Sequence, residues 1–265
     1  MKLQDIGEFG LIRRFAPRFL KNLPDGIEGI GDDCAVILSR KGFSTLVTTD
    51  MLIENIHFLR SKISPQDLGY KALAVNLSDI AAMGGTPLYA FLSIGLTTDL
   101  DVSWIDAVID GMAALASEEQ VLLLGGDTTL SQKDIVLSLT VIGEMESTKI
   151  KRRSQAKIGD IVCCTGFLGD SAAGSQALLL NLPADELLNP LITAHNRPRP
   201  HTKEGRWLAD HDAVHAMIDV SDGIDSDLRH IMESSHCGIC VDLETLPLSD
   251  PMKKACERFG WKLRT

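Results

Sequence analysis

Basic residues are in short supply in this 265-residue chain: 26 Lys and Arg stand against 36 Asp and Glu, a formal net charge of −10. Nucleic acid and anionic membrane both need a basic face, so neither is expected as a partner. An anionic small molecule remains admissible, provided metal ions bridge it to the protein. The chain also lacks an apolar run of membrane-spanning length, and its first residues hold no apolar segment of signal-peptide type. A cytoplasmic location is therefore expected. Low-complexity tracts and convincing internal repeats are missing too. At this length the chain can form one large or two ordinary globular domains.

Several common signatures are absent as well. The P-loop pattern G-x-x-x-x-G-K-S/T occurs nowhere. Cys237-Gly-Ile-Cys240 has no second pair to complete a zinc set. His211 and His215 have i, i+4 spacing, but Asp212 stands where a H-E-x-x-H protease motif has Glu. An EF-hand loop with Gly223 in its glycine place would take Ile218 and Arg229 as first and last ligands, and neither binds Ca2+. Cys163 and Cys164, adjacent in an apolar run, read as small buried thiols.

What is present is a recurring arrangement, an apolar run that ends in Gly or Thr and then Asp. Ser44 to Val47 reads as a buried strand that runs into Thr48-Thr49-Asp50, with His57 seven residues on. Hydroxyl and carboxylate oxygens side by side suit a hard cation, although a strand ending in a polar turn has the same composition. Gly31-Asp32-Asp33 precedes a second strand-like run, Cys34 to Leu38. Ser64-Pro65-Gln66-Asp67 predicts a helix start, with the helix running to Met83 and stopping at Gly84-Gly85. Asp79 then falls near the C-terminal end, where the helix dipole disfavours an anion. Another helix is expected over 3–20 and an amphipathic one from Asp101 to Ser117, with strands from Tyr89 to Leu96 and from Ile135 to Glu144. Val121 to Leu124 reads as a buried strand delivering Gly125-Gly126-Asp127-Thr128-Thr129, whose glycines would let a ligand approach the backbone. Lys151-Arg152-Arg153 marks the expected domain boundary. Asp160 to Thr165 reads as a strand turned by Gly166 to Gly169 into a helix beginning near Asp170, a general anion-binding arrangement. Asp219-Val-Ser221-Asp222-Gly223 is expected at a strand end beside a helix start.

Asp32, Asp33, Asp50, Asp79, Asp127, Asp170, Asp219 and Asp222 thus all fall at element ends or glycine turns, where α/β folds gather ligands. Eight carboxylates share a pocket only with divalent cations, because each raises the others' pKa. Their natural client is a polyphosphate, which points to phosphoryl transfer by positioning and electrostatics.

The set G-D-D-C-A at 31–35, T-T-D with His57 at 48–57, K-A-L-A-V-N-L-S-D-I-A-A-M-G at 71–84, G-G-D-T-T at 125–129, L-G-D-S-A-A-G at 168–174 and D-V-S-D-G-I at 219–224 resembles the thiamine-monophosphate kinase family of the AIR synthase-like superfamily. The resemblance implies a two-domain α/β (α+β) fold. Residues 1–150 would form an N-terminal ATP- and Mg-binding domain that pairs with its copy into a dimeric β-barrel, so a homodimer is implied. Residues 151–265 would form a C-terminal α/β domain, expected to be incomplete because the family's Gly-Gly-Glu-Asp-Tyr stretch has no counterpart before Thr265. The implied reaction is ATP- and Mg2+-dependent conversion of thiamine monophosphate to the diphosphate, by direct in-line transfer and with no general base. Carried over residue by residue, Asp32, Thr48, Thr49, Asp50, Asp79, Asp127, Asp219 and Asp222 would bind several Mg2+ ions. His57 would contact the substrate, and Gly126, Asp127, Arg153 and Ser221 would contact ATP. The alternatives are a non-catalytic Mg-nucleotide-binding protein and another AIR synthase-like ATP-dependent enzyme.

Overall fold

Side chains that alternate between a covered and an open face build the central sheet. The computed structural model describes residues 25–29 and 31–262; the helix expected over 3–20 lies outside them. Strands β1 (Ile27–Glu28), β2 (Ala35–Leu38), β3 (Phe43–Ile53), β4 (Thr86–Leu96), β5 (Leu122–Leu130) and β6 (Val136–Glu146) form one sheet in the order β1-β2-β3-β6-β4-β5. Neighbours are antiparallel except β4 and β5. A parallel pair needs a crossover, and helix α2 (Val102–Glu118) supplies it.

On β6, Leu137, Leu139, Val141 and Met145 are buried at every second position. Helix α1 (Pro65–Ala82) starts as its sequence predicts: the Ser64 hydroxyl accepts from Asp67 N at 3.1 Å, and Pro65 opens the first turn. Helices α1 and α2 join Leu46, Ala90, Leu92, Leu137, Leu139 and Val141 in one core. Each of these leucines and Val141 contributes about 1.5–3 kcal/mol through burial. The opposite face stays open, with Met51, Tyr89 and Phe91 each more than a third exposed.

After residue 150 come α3 (Asp170–Leu179), α4 (Leu188–Asn196), α5 (Thr202–Ala209), α6 (Ile224–Ser235) and α7 (Asp250–Phe259). Ala173 and Ala177 of α3, Leu188 and Leu191 of α4, and Met252 and Ala255 of α7 form a second, smaller core. None of the helices among the described residues is long and apolar enough to cross a membrane.

Three sequence expectations are corrected. The polar triplet Thr48-Thr49-Asp50 lies inside β3 rather than at its end, because β6 pairs with it along its whole length, Phe43 opposite Glu146 to Ile53 opposite Val136. Leu122, Leu123 and Leu124 are exposed rather than buried, since β5 is the last strand of the sheet. Residues 160–165 form no strand, and Cys163 and Cys164 are exposed. Apolar sequence sets strand tendency, but a strand exists only where another pairs with it, and none does so here among the described residues.

Two glycines let α1 and α2 touch along their backbones. A Cβ on Gly69 would lie 1.8 Å from the Val108 carbonyl oxygen, and one on Gly111 would lie 1.9 Å from that of Gln66. Gly111→Ala should therefore push the helices apart and lower stability by about 1–3 kcal/mol in denaturant unfolding, whereas an unchanged midpoint would contradict this packing.

Candidate active site

Four separate stretches meet where α1 ends. Strand β3 supplies Thr48 and Asp50, the turn before β2 supplies Asp32 and Asp33, α1 supplies Asp79, and the loop before α6 supplies Asp219. Thr48 Oγ1 donates to Asp79 Oδ2 at 2.5 Å. Asn76, fully buried one turn before Asp79, accepts the Asp50 N–H at 3.0 Å and donates to Ala72 O. Ser78 Oγ donates to Asp219 Oδ2 at 2.9 Å, so α1 orients the loop carboxylate too. One carboxylate oxygen each from Asp33, Asp79 and Asp219 lies within 4.8 Å of the other two. Asp33 is absent from the ligand set that the resemblance implied, although it stands among the eight acids that the sequence places at element ends or glycine turns.

These acids are held away from water and against each other. Burial, then the Asp219 and Asp50 charges, push Asp79 up to about 9. Burial and then Asp33 push Asp219 up to about 7 and Asp32 up to about 6. Converging carboxylates with a threonine hydroxyl beside them form an all-oxygen donor set, the chemistry that suits Mg2+. Arg153 reaches the same place, donating through Nε to Asp33 Oδ2 at 3.1 Å while its backbone N–H donates to Asp32 Oδ2 at 3.2 Å. The other two of the three consecutive cations are engaged as well: Lys151 is buried and donates to His211 O, and Arg152 pairs with Glu28.

Asp227 shapes the loop. Its buried carboxylate accepts from the backbone N–H groups of Ser221 and Gly223 at 3.1 and 3.2 Å, fixing the turn that follows Asp219. The sequence shows it only as one more acid in the motif.

Other expected residues lie elsewhere. Thr49 is on the open face of β3, donating to Leu139 O and accepting from Thr140 Oγ1. Asp127 is exposed on β5. Asp50 pairs with Leu139, Leu139 with Leu92, and Leu92 with Gly126. The Asp127 end of this row is thus three strand spacings, about 14 Å, from Asp50. Gly126 is constrained by the sheet: at φ +155° a Cβ there would lie 1.6 Å from Leu92 O. Ser221 and Asp222 are exposed at the rim of the loop. His57 is exposed after β3, its Nδ1 accepting from Ile53 N at 3.0 Å, and Asp170 accepts from Ser249 Oγ at 2.6 Å.

The unfolded value of each buried acid is 3.8, below its folded value. The folded state therefore holds these protons more tightly. The stability they contribute is complete below pH 3.8 and falls as pH rises through about 6, 7 and 9. A bound cation offsets that loss. Saturating Mg2+ should raise the thermal midpoint by about 5 °C or more, and more at about pH 8 than at about pH 6. Asp79→Asn should raise the metal-free midpoint and remove most of this response; a midpoint insensitive to Mg2+ at both pH values would contradict the site. Asp227→Ala should weaken Mg2+ binding by about 10–100-fold in calorimetric titration, and unaltered affinity would deny its positioning role.

The family model for AIR synthase related protein, N-terminal domain, matches residues 31–145. The chain is 42% identical over 251 residues to thiamine-monophosphate kinase of Salmonella typhimurium, covering 94% of this chain and 75% of that protein. It is 39% identical over 256 residues to the enzyme of Bacillus subtilis, covering 93% and 76%. Among solved structures, that of AaThiL complexed with AMPPCP and TMP superposes with a TM-score of 0.90 at 34% identity, covering 99% of this chain and 81% of that one. Identity of this order, spread over nearly the whole chain and joined to the same fold, shows that the chain belongs to the thiamine-monophosphate kinase family.

Proposed function

We propose that this chain catalyses ATP-dependent phosphorylation of thiamine monophosphate to thiamine diphosphate, by direct in-line transfer at the acidic cluster. The observation that carries the reading is the convergence of Asp33, Asp79 and Asp219 from three distant stretches of chain. The names of its relatives support the substrate pair, as does the solved relative that holds AMPPCP and TMP.

In this reading Asp33, Asp79 and Asp219, with Asp32, Asp50, Thr48 and the rim residue Asp222, hold Mg2+. When bound, Mg2+ supplies positive charge between two phosphoryl groups that otherwise repel. The chain's own part is positioning. Thr48 and Ser78 orient the carboxylates of Asp79 and Asp219, and Asp227 fixes the loop that presents Ser221 to ATP. Arg153 can exchange its Asp33 contact for a phosphate, and His57 faces the acceptor. A phosphate monoester is largely dianionic at neutral pH, its second pKa being about 6, so its oxygen attacks with no base to remove a proton. Thr49 and Asp127, both on the open face, would serve a further ion and the nucleotide with Gly126.

The reading includes a homodimer, joined through the N-terminal domain of residues 1–150, with 151–265 as the second domain. Two separate cores support that division. The bare face bearing Tyr89 and Phe91, and the exposed leucines of β5, support the pairing. The reading takes the protein to act in the cytoplasm.

With ATP and Mg2+, ADP should form only when thiamine monophosphate is added, and a chelator should stop it. Asp219→Asn should lower kcat by about 100-fold or more. ADP production indifferent to the acceptor, or full activity in Asp219→Asn, would overturn the assignment.

A further inference from the structure

A second pocket lies beside the acidic cluster with the opposite electrical character. It is a cavity of about 220 Å³ between the loop after β3, α1, α3 and α4. Lys62, Lys71, His57 and His195 line it, with Ser175 and Asn196, and among the described residues no carboxylate does. In a chain of net charge −10 this is the reverse of what composition would place there. Lys71 is on α1 seven residues before Ser78, hence on the same helix face and about 10 Å along the axis from the group that holds Asp219.

Lys71 forms no ion pair among the described residues, although burial lowers its pKa to about 8. Its ammonium faces His195 Nε2 at 3.3 Å, and His195 Nδ1 faces Ser171 Oγ at 3.2 Å. Burial, then the Lys71 charge, depress His195 to about 4, so its ring is neutral at physiological pH. The neutral ring can accept from Lys71 only at Nε2, which leaves its proton on Nδ1 to donate to Ser171 Oγ. From α3 the cavity is lined by Ser175, Leu178 and Leu179, while Ser171, outside the lining, serves to hold the His195 ring. Lys62 is tied to Asn181 Oδ1. A desolvated ammonium keeps its charge more readily when an anion arrives, and among the described residues His195 is the side chain that meets Lys71 Nζ.

We propose that this pocket is a phosphate subsite, in which Lys71 supplies the charge and His195, held by Ser171, fixes the ammonium. The phosphate has two sources, the monoester end of the acceptor or free inorganic phosphate. The acceptor source alone rests on the kinase reading.

The test uses the full chain with a chelator present, because without metal the acidic cluster repels phosphate and binding at the pocket is isolated. Inorganic phosphate, thiamine monophosphate and unphosphorylated thiamine are titrated separately by calorimetry. The subsite predicts that inorganic phosphate, thiamine monophosphate or both bind while thiamine does not, and that Lys71→Met weakens this binding by about 10–100-fold. Ser175→Ala, at a partly exposed helical position that lines the cavity, should weaken it less, by a few fold, and provides the readout if Lys71→Met does not fold. Competition between phosphate and thiamine monophosphate, with a raised KM for the acceptor in Lys71→Met, identifies the acceptor's own phosphate. Phosphate binding that needs Lys71 while the acceptor KM stays unchanged identifies free phosphate. Metal-free binding of neither anion, or binding unaffected by both substitutions, overturns the subsite. Failure of the kinase reading would show instead as absent acceptor-dependent ADP with phosphate binding intact.

Discussion

Repulsion among Asp33, Asp79 and Asp219 is the force that the surrounding structure works against. Each is drawn partly out of water, and each stands where the other two oppose its charge. Left alone, such groups would take up protons or swing out to solvent. They are kept in place by hydrogen bonds that their oxygens accept: Asp79 from Thr48, Asp219 from Ser78, and Asp33 and Asp32 from Arg153. Buried groups arranged at this disadvantage are found where a cation repays it.

Helix α1 carries most of that arrangement. Its C-terminal turn bears Asp79, at the end where the helix dipole is negative, so the dipole adds to the pull on a cation. Packing leaves the helix no freedom to retreat, since the glycines at 69 and 111 bring α2 against its backbone and its buried face forms the floor of the sheet. Two turns earlier the same helix carries Lys71, which faces a cavity lined by no carboxylate among the described residues. One rigid rod therefore presents an acidic end and a basic shoulder about 10 Å apart. A reaction that joins two phosphoryl groups has use for both.

Much of this was legible in the residues. The N-cap at Ser64, the glycine stop at 84–85 and the alternation along β6 are local signals, and local physics decides them. Asp32, Asp33, Asp50, Asp79 and Asp219 could be nominated because acids expected at element ends or glycine turns need a reason to be there. What sets Asp33 and Asp227 apart from neighbouring acids was not legible, because it is burial and partners that only the fold supplies: Arg153, 120 residues away, for one, and the amides of the preceding turn for the other. The strand expected at 160–165 and the burial expected for Leu122 to Leu124 failed for a related reason. An apolar run states a preference for cover, and only the arrangement of other strands decides whether cover exists. Likewise the glycine at 126 advertised room for a ligand, whereas the atom it clears is a neighbouring strand's carbonyl oxygen.

The most direct measurement is anomalous diffraction from crystals grown with Mn2+, a hard-cation stand-in for Mg2+. The account predicts an anomalous peak bonded to carboxylate oxygens of Asp33, Asp79 and Asp219. Those carboxylates free of metal in Mn2+-saturated crystals, with the ion bound elsewhere or nowhere, would contradict it.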